Sequence, residues 1–491
     1  MPTRVALPVH PSPAQAQRHP DMKEKCGVFA SWGAKTNAYS TYLGLYAQQH
    51  RGQEAAGIAV SDGLRLDAFT GTGLVPEVLS EAVLARLEPR AAKGAIGHTR
   101  YSTAGGSLAC NAQPLLEQYV GGQVAIAHNG NLVNADALKR QFEARGHLFH
   151  TTSDTEVVVH LLASPEQQQA ADPLAETLRH LQGAFSLVLL FPDRVEVARD
   201  PWGWRPLVIG QLPEGGLVAA SETVALDVVG ARLLREVEPG EIVTLSDKGV
   251  QSRRFAPPAQ RLAQCIFEHV YFANPASVVF GDNVQAVREL LGERLARESP
   301  VPADYVMPMP DSGRSAAVGY ARASGITYRE GIVPNRYVGR TFIKPTQQQR
   351  AAAVRLKLNV VRQLVEGKRL IIVDDSVVRG TTTKAKVDQL REAGAKEVHL
   401  RISCPPIRHP CFFGVDFATR DQLIAAGRTV EQVRDFLRVD SLAYLSLEGL
   451  TSCVSRPAQH YCTACFSGDY RIDVEHPTTD EVASPQMRMF N

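Results

Sequence analysis

At 491 residues the chain is too long for one ordinary hydrophobic core, so two large domains or more are expected. With 44% hydrophobic residues, 21% charged residues and a net charge of +2, it reads as a soluble globular protein with no polyanion-binding surface. No apolar run approaches the roughly 20 residues of a membrane span.

Residues 1–25 read as a flexible leader. They hold prolines, glutamines and two histidines but lack the apolar core of a secretory signal. A cytoplasmic protein is expected, so the eight cysteines serve as metal ligands or nucleophiles rather than disulfides. From Cys26 the pattern turns β-rich, with strands predicted over Val28–Trp32, Gly94–Thr99, Val124–His128, Phe185–Phe191, Val195–Ala198 and Gly216–Ala220. Helices are predicted over Ala38–Gln49 and Asp154–Leu162. The second has Ser153 as its expected N-cap and Glu156 completing a capping box. Pro257 and Pro258 mark a linker over Arg253–Gln260.

Beyond the linker, helix and strand alternate. Helices are predicted over Val284–Glu298, Arg314–Ala323, Lys384–Glu392 and Val430–Phe436. Strands are predicted over Tyr305–Pro308, Arg369–Val373 and Glu397–Ile402. Alternation of this kind builds a parallel sheet. His476–Asn491 is polar and expected to be loose.

The most informative stretch is Leu370–Lys384. An apolar run stops at Asp374 and Asp375, a polar turn with Gly380, Thr381, Thr382 and Thr383 follows, and a helix starts at Lys384. Inward N–H groups of the turn, the helix N-terminus and the threonine hydroxyls suit a phosphate. The two carboxylates suit sugar hydroxyls or a hydrated Mg²⁺. On composition alone, a solvated acidic tip of an α/β loop fits equally well. The full run resembles the phosphoribosyl diphosphate (PRPP) loop of type I phosphoribosyltransferases. That resemblance implies PRPP contacts at Asp374, Asp375, Ser376, Arg379, Gly380, Thr381, Thr382 and Thr383, beyond the carboxyl ends of a parallel sheet. Pro310-Asp311-Ser312-Gly313 matches a second part of such a site. Ser312 would join Asp374 and Asp375 at Mg²⁺, either directly or through diphosphate or water. Asn335–Phe342 resembles the loop that closes over PRPP, with Arg340 facing the diphosphate charge and water excluded.

In the first half Cys26 opens Cys-Gly-Val-Phe, which by itself reads as a buried strand cysteine. Four later motifs change this: His50-Arg51-Gly52-Gln53-Glu54, Gly97-His98-Thr99-Arg100-Tyr101-Ser102-Thr103, His128-Asn129-Gly130-Asn131-Leu132 and Thr152-Ser153-Asp154-Thr155-Glu156. In this order they resemble the N-terminal-nucleophile glutaminase domain of class II amidotransferases. The resemblance implies that Cys26 is the nucleophile and that Asn129 and Gly130 form an oxyanion hole, through a side-chain amide and a backbone N–H. Arg100 would grip the glutamine α-carboxylate with its guanidinium fork, and Asp154 would pair with the α-ammonium. Arg51 and Gln53 are expected to support the site from behind. Removing the leader would free an α-amine at Cys26 with a pKa near ~8, a suitable proton acceptor at neutral pH. While Lys25 stays attached, that nitrogen is a peptide nitrogen and cannot act.

Among the cysteines, only Cys462-Thr463-Ala464-Cys465 has short ligand spacing, and on spacing zinc fits as well as iron–sulfur. The contexts of Cys265 and Cys411 resemble the iron–sulfur branch of the glutamine PRPP amidotransferase family, which joins both halves in one chain. The resemblance implies a [4Fe–4S] cluster on Cys265, Cys411, Cys462 and Cys465, with a structural role. Cys453 is the residue that could displace one of the four.

The expected architecture is an α+β N-terminal-nucleophile glutaminase of sandwiched antiparallel sheets (26–245), joined to an α/β type I phosphoribosyltransferase domain with a parallel sheet (260–466) and followed by a tail (467–491). The implied reaction is glutamine hydrolysis and internal transfer of ammonia to PRPP. Purine nucleotide inhibitors and a homotetramer are further family expectations. No nucleic acid or membrane partner is expected. A sugar-isomerase amidotransferase would share only the first half. A nucleic-acid-binding PRPP sensor would need a basic segment that this near-neutral chain lacks.

Overall fold

The computed structural model describes residues 26–101, 109–335, 358–415 and 419–474. Its first half is built on two antiparallel sheets. One has seven strands in the order Arg232–Glu236, Val208–Gln211, Leu217–Ala220, Gly27–Trp32, Gly94–Arg100, Ala55–Ser61, Leu66–Thr72. The other has six, in the order Gly249–Arg254, Glu241–Ser246, Arg194–Arg199, Gly183–Phe191, Gly122–Leu132, Leu115–Tyr119. Val28, Ala30, Trp32 and Ile96 of one sheet pack against Ala125, Ala127, Val188 and Leu190 of the other.

The outer faces are covered too. Leu45 and Leu226, from the helices Asn37–Ala47 and Thr223–Val229, cover the first sheet. Leu138, Val158 and Leu178, from three other helices, cover the second. The result is a four-layer αββα unit. Because both faces of the Gly27–Trp32 strand are covered, all six of its residues are buried and no polar alternation marks it.

The two strands Glu241–Ser246 and Gly249–Arg254 belong to the six-stranded sheet, so the unit runs past residue 245 and the linker begins after Arg254. The predicted capping box is not formed. The second helix starts at Glu156, with Thr155 as its N-cap. Glu156 turns back to accept from the N–H groups of His150 (2.7 Å) and Thr151 (2.8 Å), which leaves it no role at Ser153.

The second half carries four parallel strands in the order Tyr305–Pro308, Arg369–Asp374, Glu397–Ile402, Ser441–Tyr444. The halves meet in a shared apolar cluster. Ala184 and Trp204 from the first pack with Phe413, Cys462 and Ala464 from the second, joined by Tyr470, Ile472 and Val474. The start of the tail is therefore packed, with the Tyr470 hydroxyl donating to the Pro410 carbonyl at 2.6 Å. The leader, Arg340 and most of its loop, Ser102 and Thr103, and the end of the tail lie outside the described residues.

Candidate active sites

Cys26 sits at the head of a central strand. Gly27 pairs with Thr99 in register, which brings Arg100 alongside. The Cys26 thiol lies 3.6 Å from the Tyr101 carbonyl. Burial pushes this thiol above its ordinary pKa. A backbone hydrogen bond of Tyr101, together with Arg100 and Arg51, acts against that shift, while Asp154 acts with it. Arg100 and Asp154, some 50 positions apart in sequence, thus both act on the one sulfur.

Arg51 is closer than expected, since its Nε donates to the Cys26 carbonyl at 3.1 Å. Burial alone would raise the Asp154 carboxyl. His128, by charge and hydrogen bond, and the Leu132 N–H at 2.9 Å hold it below the ordinary carboxylate value.

Asn129 is buried and donates to Ser221 Oγ at 3.3 Å, and the same hydroxyl accepts the Val28 N–H at 3.0 Å. Ser221 therefore ties Asn129 to the nucleophile's strand, a role nothing around it in the sequence signals. Gly130 faces Phe185 in register. Both backbone groups of Phe185 are bonded to Asp200, so Gly130 directs its N–H to the other edge of its strand. There the neighbouring strand has already ended, with Leu115 opposite Ile126. No side chain fits at Gly130, because a Cβ would lie 1.9 Å from the Ala184 carbonyl oxygen.

Behind this site lies a buried charge network. Glu222 takes Arg51 and, at 2.8 Å, His50. Burial would raise its carboxyl, but His50 and Arg51 hold it far below the ordinary value. A carboxylate with a depressed folded pKa stabilises the fold above its unfolded value of 4.5, and that contribution is lost as pH falls below it. Glu222→Ala should cost roughly 3–5 kcal/mol in urea unfolding at neutral pH, since it leaves Arg51 short of a buried partner. A loss below about 1 kcal/mol, the size of a surface pair, would contradict this.

In the second half Asp374 ends its strand and Asp375 follows. Both are buried, which excludes the solvated acidic tip. Burial first, and then the neighbouring Asp375, raise the Asp374 carboxyl well above its ordinary pKa. Ser376 Oγ donates to Asp375, and the Arg379 guanidinium reaches Gln422.

The helix begins three residues earlier than expected, at Thr381, with Gly380 as its N-cap at φ +75°. Thr381, Thr382 and Thr383 form its first turn, where backbone N–H groups lack intrahelical partners. Such N–H groups can bind an anion. Ser312 lies in the turn after the adjacent strand, whose Met309 N–H bonds the Val373 carbonyl at 2.8 Å. Ser312 and the Asp pair thus share the carboxyl edge of the sheet.

Cys265 and Cys462 face each other in a short parallel pairing. The Cys465 carbonyl accepts from Arg408 and His409, close to Cys411. Burial raises all four thiols, Cys462 to about 12, and Cys265, Cys411 and Cys462 all act electrostatically on Cys465. Cys453 is placed elsewhere, beside Arg294 and Glu298. Among the described residues no group of three or more His, Cys, Asp or Glu is gathered to hold a single ion.

The fold and these two sites define a class: a glutamine amidotransferase unit joined to a phosphoribosyltransferase unit. A family profile described as glutamine amidotransferase domain matches residues 98–228. The amidophosphoribosyltransferase of Bacillus subtilis (strain 168) is 48% identical over 462 residues, 93% of this chain and 96% of that one. The amidophosphoribosyltransferase of Methanothermobacter thermautotrophicus is 46% identical over 455 residues, 92% of this chain and 95% of that one. The B. subtilis glutamine PRPP amidotransferase, solved with ADP and GMP, superposes with a TM-score of 0.85 at 46% identity, over 93% of this chain and 99% of that one. A structure described as the allosteric regulatory enzyme of purine biosynthesis gives 0.86 at 46% identity, over 93% of this chain and 98% of that one. The chain belongs to the amidophosphoribosyltransferase family.

Proposed function

We propose that this chain performs the family reaction, the transfer of the glutamine amide nitrogen to PRPP, with Cys26 as nucleophile and the Asp374–Thr383 segment as the PRPP site. The products are 5-phosphoribosylamine, diphosphate and glutamate, in the first step of purine biosynthesis. The observation that carries the assignment is the strand register that sets Arg100 beside Cys26, with Arg51 Nε held on the Cys26 carbonyl. An assay of glutamate release in the presence of PRPP tests it, and a purified chain that releases none would end the reading.

At the first site Arg100 takes the α-carboxylate of glutamine and Asp154 its α-ammonium, which sets the side-chain amide over Cys26. The sulfur attacks the amide carbon. The developing oxyanion is met by the Asn129 amide and the Gly130 N–H, and such a donor typically contributes ~3 kcal/mol in the transition state. Once residues 1–25 are removed, the proton goes to the freed α-amine of Cys26, a suitable acceptor at neutral pH. Mass spectrometry of the working enzyme should find Cys26 as its first residue. A leader residue still joined ahead of it would sink this step.

At the second site the helix N-terminus and Thr381–Thr383 hold a phosphate. Asp374 and Asp375 face the ribose, and Arg340, outside the described residues, is assigned to the diphosphate charge. Two buried carboxylates, one with a raised pKa, suit a divalent cation. Mg²⁺ is commonly held by one or two carboxylates together with substrate phosphates and waters. Asp374 and Asp375 would hold it with Ser312, and it would neutralise diphosphate charge.

Three buried thiols and the half-buried Cys411 suit a soft metal centre. The resemblance of the Cys265 and Cys411 contexts to the iron–sulfur branch of the family favours a [4Fe–4S] cluster over zinc. Cys265, Cys411, Cys462 and Cys465 would hold it, and it would supply cross-linking rather than redox chemistry. Anaerobically purified enzyme should contain iron and absorb in the visible. A sample with neither would remove the cluster.

The glutaminase unit is assigned to residues from 26 through the last strand at Arg254, and the synthase unit to 260–466. Purine nucleotides, as in the relative solved with ADP and GMP, are assigned as inhibitors, and a homotetramer as the assembly. No helix among the described residues is long and apolar enough to cross a membrane. The cytoplasm is the proposed location.

A further inference from the structure

Two contacts lead from the cysteine-bearing segments of the synthase half into the glutaminase site, and the reaction steps above use neither. The first runs through buried charge. Arg51, whose Nε holds the Cys26 carbonyl, places its two terminal nitrogens on the two oxygens of Glu268, each at 3.0 Å. Glu268 lies three residues past Cys265. It also takes Arg205 at 3.2 Å, and Arg205 donates its other terminal nitrogen to the Phe413 carbonyl, two residues past Cys411. All three side chains are fully buried. The second contact runs beside the oxyanion site. Asn131 Nδ2 donates to the Phe412 carbonyl at 3.0 Å. Gly414 lies against Gly130, where an added Cβ would come within 3.0 Å of the Gly130 carbonyl.

We infer that Glu268 is a positioning residue for glutamine hydrolysis, orienting Cys26 through Arg51, and that Arg205 fixes Glu268 to the 411–414 segment. The inference rests on the reading of Cys26 as nucleophile. A two-pronged guanidinium–carboxylate pair is directional, so it sets the angle of Arg51 as well as its place. With Glu268 neutralised, Arg51 follows Glu222 alone and the Cys26 carbonyl loses a fixed donor. A shift of 1 Å at a reacting group costs about 10²-fold in rate. The glutaminase thereby depends on the integrity of the Cys265 and Cys411 segments, although neither cysteine touches glutamine.

The test uses the full-length enzyme purified anaerobically. Glu268→Gln should lower glutamine-dependent kcat by about 10²-fold. The rate with free ammonia and PRPP, and the KM for PRPP, should not change. Alkylation of Cys26 by an electrophilic diazoketone analogue of glutamine should slow by the same factor, a readout that a merely structural role would not move. Arg205→Lys keeps the charge but cannot reach both Glu268 and the Phe413 carbonyl. It should give a smaller loss, about 10-fold, with the same split between glutamine and ammonia. Equal loss of both reactions, or unchanged glutamine turnover and alkylation, overturns the inference. If Glu268→Gln does not accumulate in soluble form, Arg205→Lys decides on the same readouts. Glutamine hydrolysis surviving in Cys26→Ala would instead refute the nucleophile assignment, a result distinguishable from either of these.

Discussion

Cys26→Ala is expected to abolish glutamine-dependent formation of 5-phosphoribosylamine while the reaction fed by free ammonia continues. The glutamine rate should drop by roughly 10⁴–10⁶-fold, the scale on which loss of a covalent nucleophile is felt. The split follows from the architecture. Cys26 heads a strand of the seven-stranded sheet, whereas Asp374 ends a strand of a separate four-stranded parallel sheet. Nothing at the PRPP site needs the thiol once ammonia is supplied. Parallel assays with glutamine and with ammonium salts measure the ratio. If a folded Cys26→Ala protein loses both reactions equally, the division into two sites is wrong.

Asp374→Asn is expected to remove both reactions. On the proposed role of Asp374 beside the ribose and a cation, loss of its charge should cost about 4 kcal/mol in the transition state, ~10³-fold in rate with either nitrogen source. Its effect on folding should have the opposite sign. Burial and Asp375 raise the Asp374 carboxyl above its ordinary value of 3.8. Between that value and the raised one, the folded state binds more protons than the unfolded chain. Stability therefore falls as pH rises through this window. Asparagine cannot ionise, so the variant should escape this fall and melt no lower than the parent at neutral pH without Mg²⁺. A lower melting temperature together with retained ammonia-dependent activity would contradict both halves of the argument.

What was legible in the sequence was mainly what is local in the chain. Leu370–Lys384 carries strand, acidic pair, turn and helix in one stretch, so its chemistry could be derived before any fold was known. Only the helix start was misplaced, because threonine's weak helix propensity hid Thr381–Thr383 in the turn. The convergence of Cys26, Arg100 and Asp154 was not legible from spacing. It needed a resemblance, since strand register brings Arg100 to Cys26 and no spacing in the chain marks Asp154.

Several strands were missed for physical reasons. Ala55–Ser61 is mostly alanine, glycine and serine around Ile58 and Val60, yet it pairs on both edges. Arg232–Glu236 and Gly249–Arg254 are sheet edges rich in charge, where apolar alternation is weak. Ser221, Arg205 and Glu268 gave no signal at all. Each is a single polar residue in an ordinary run, and its significance arises wholly from partners up to about two hundred positions away.

The ring of Trp204 lies over that of Phe413, with centroids 4.5 Å apart, inside the apolar cluster common to both halves. A severed glutaminase fragment would therefore turn tryptophan and alanine surface toward water and stick to itself or to other proteins. The two catalytic modules are not interchangeable parts. Grafting this glutaminase onto another synthase would demand a matching aromatic socket, whatever the length of the connecting peptide.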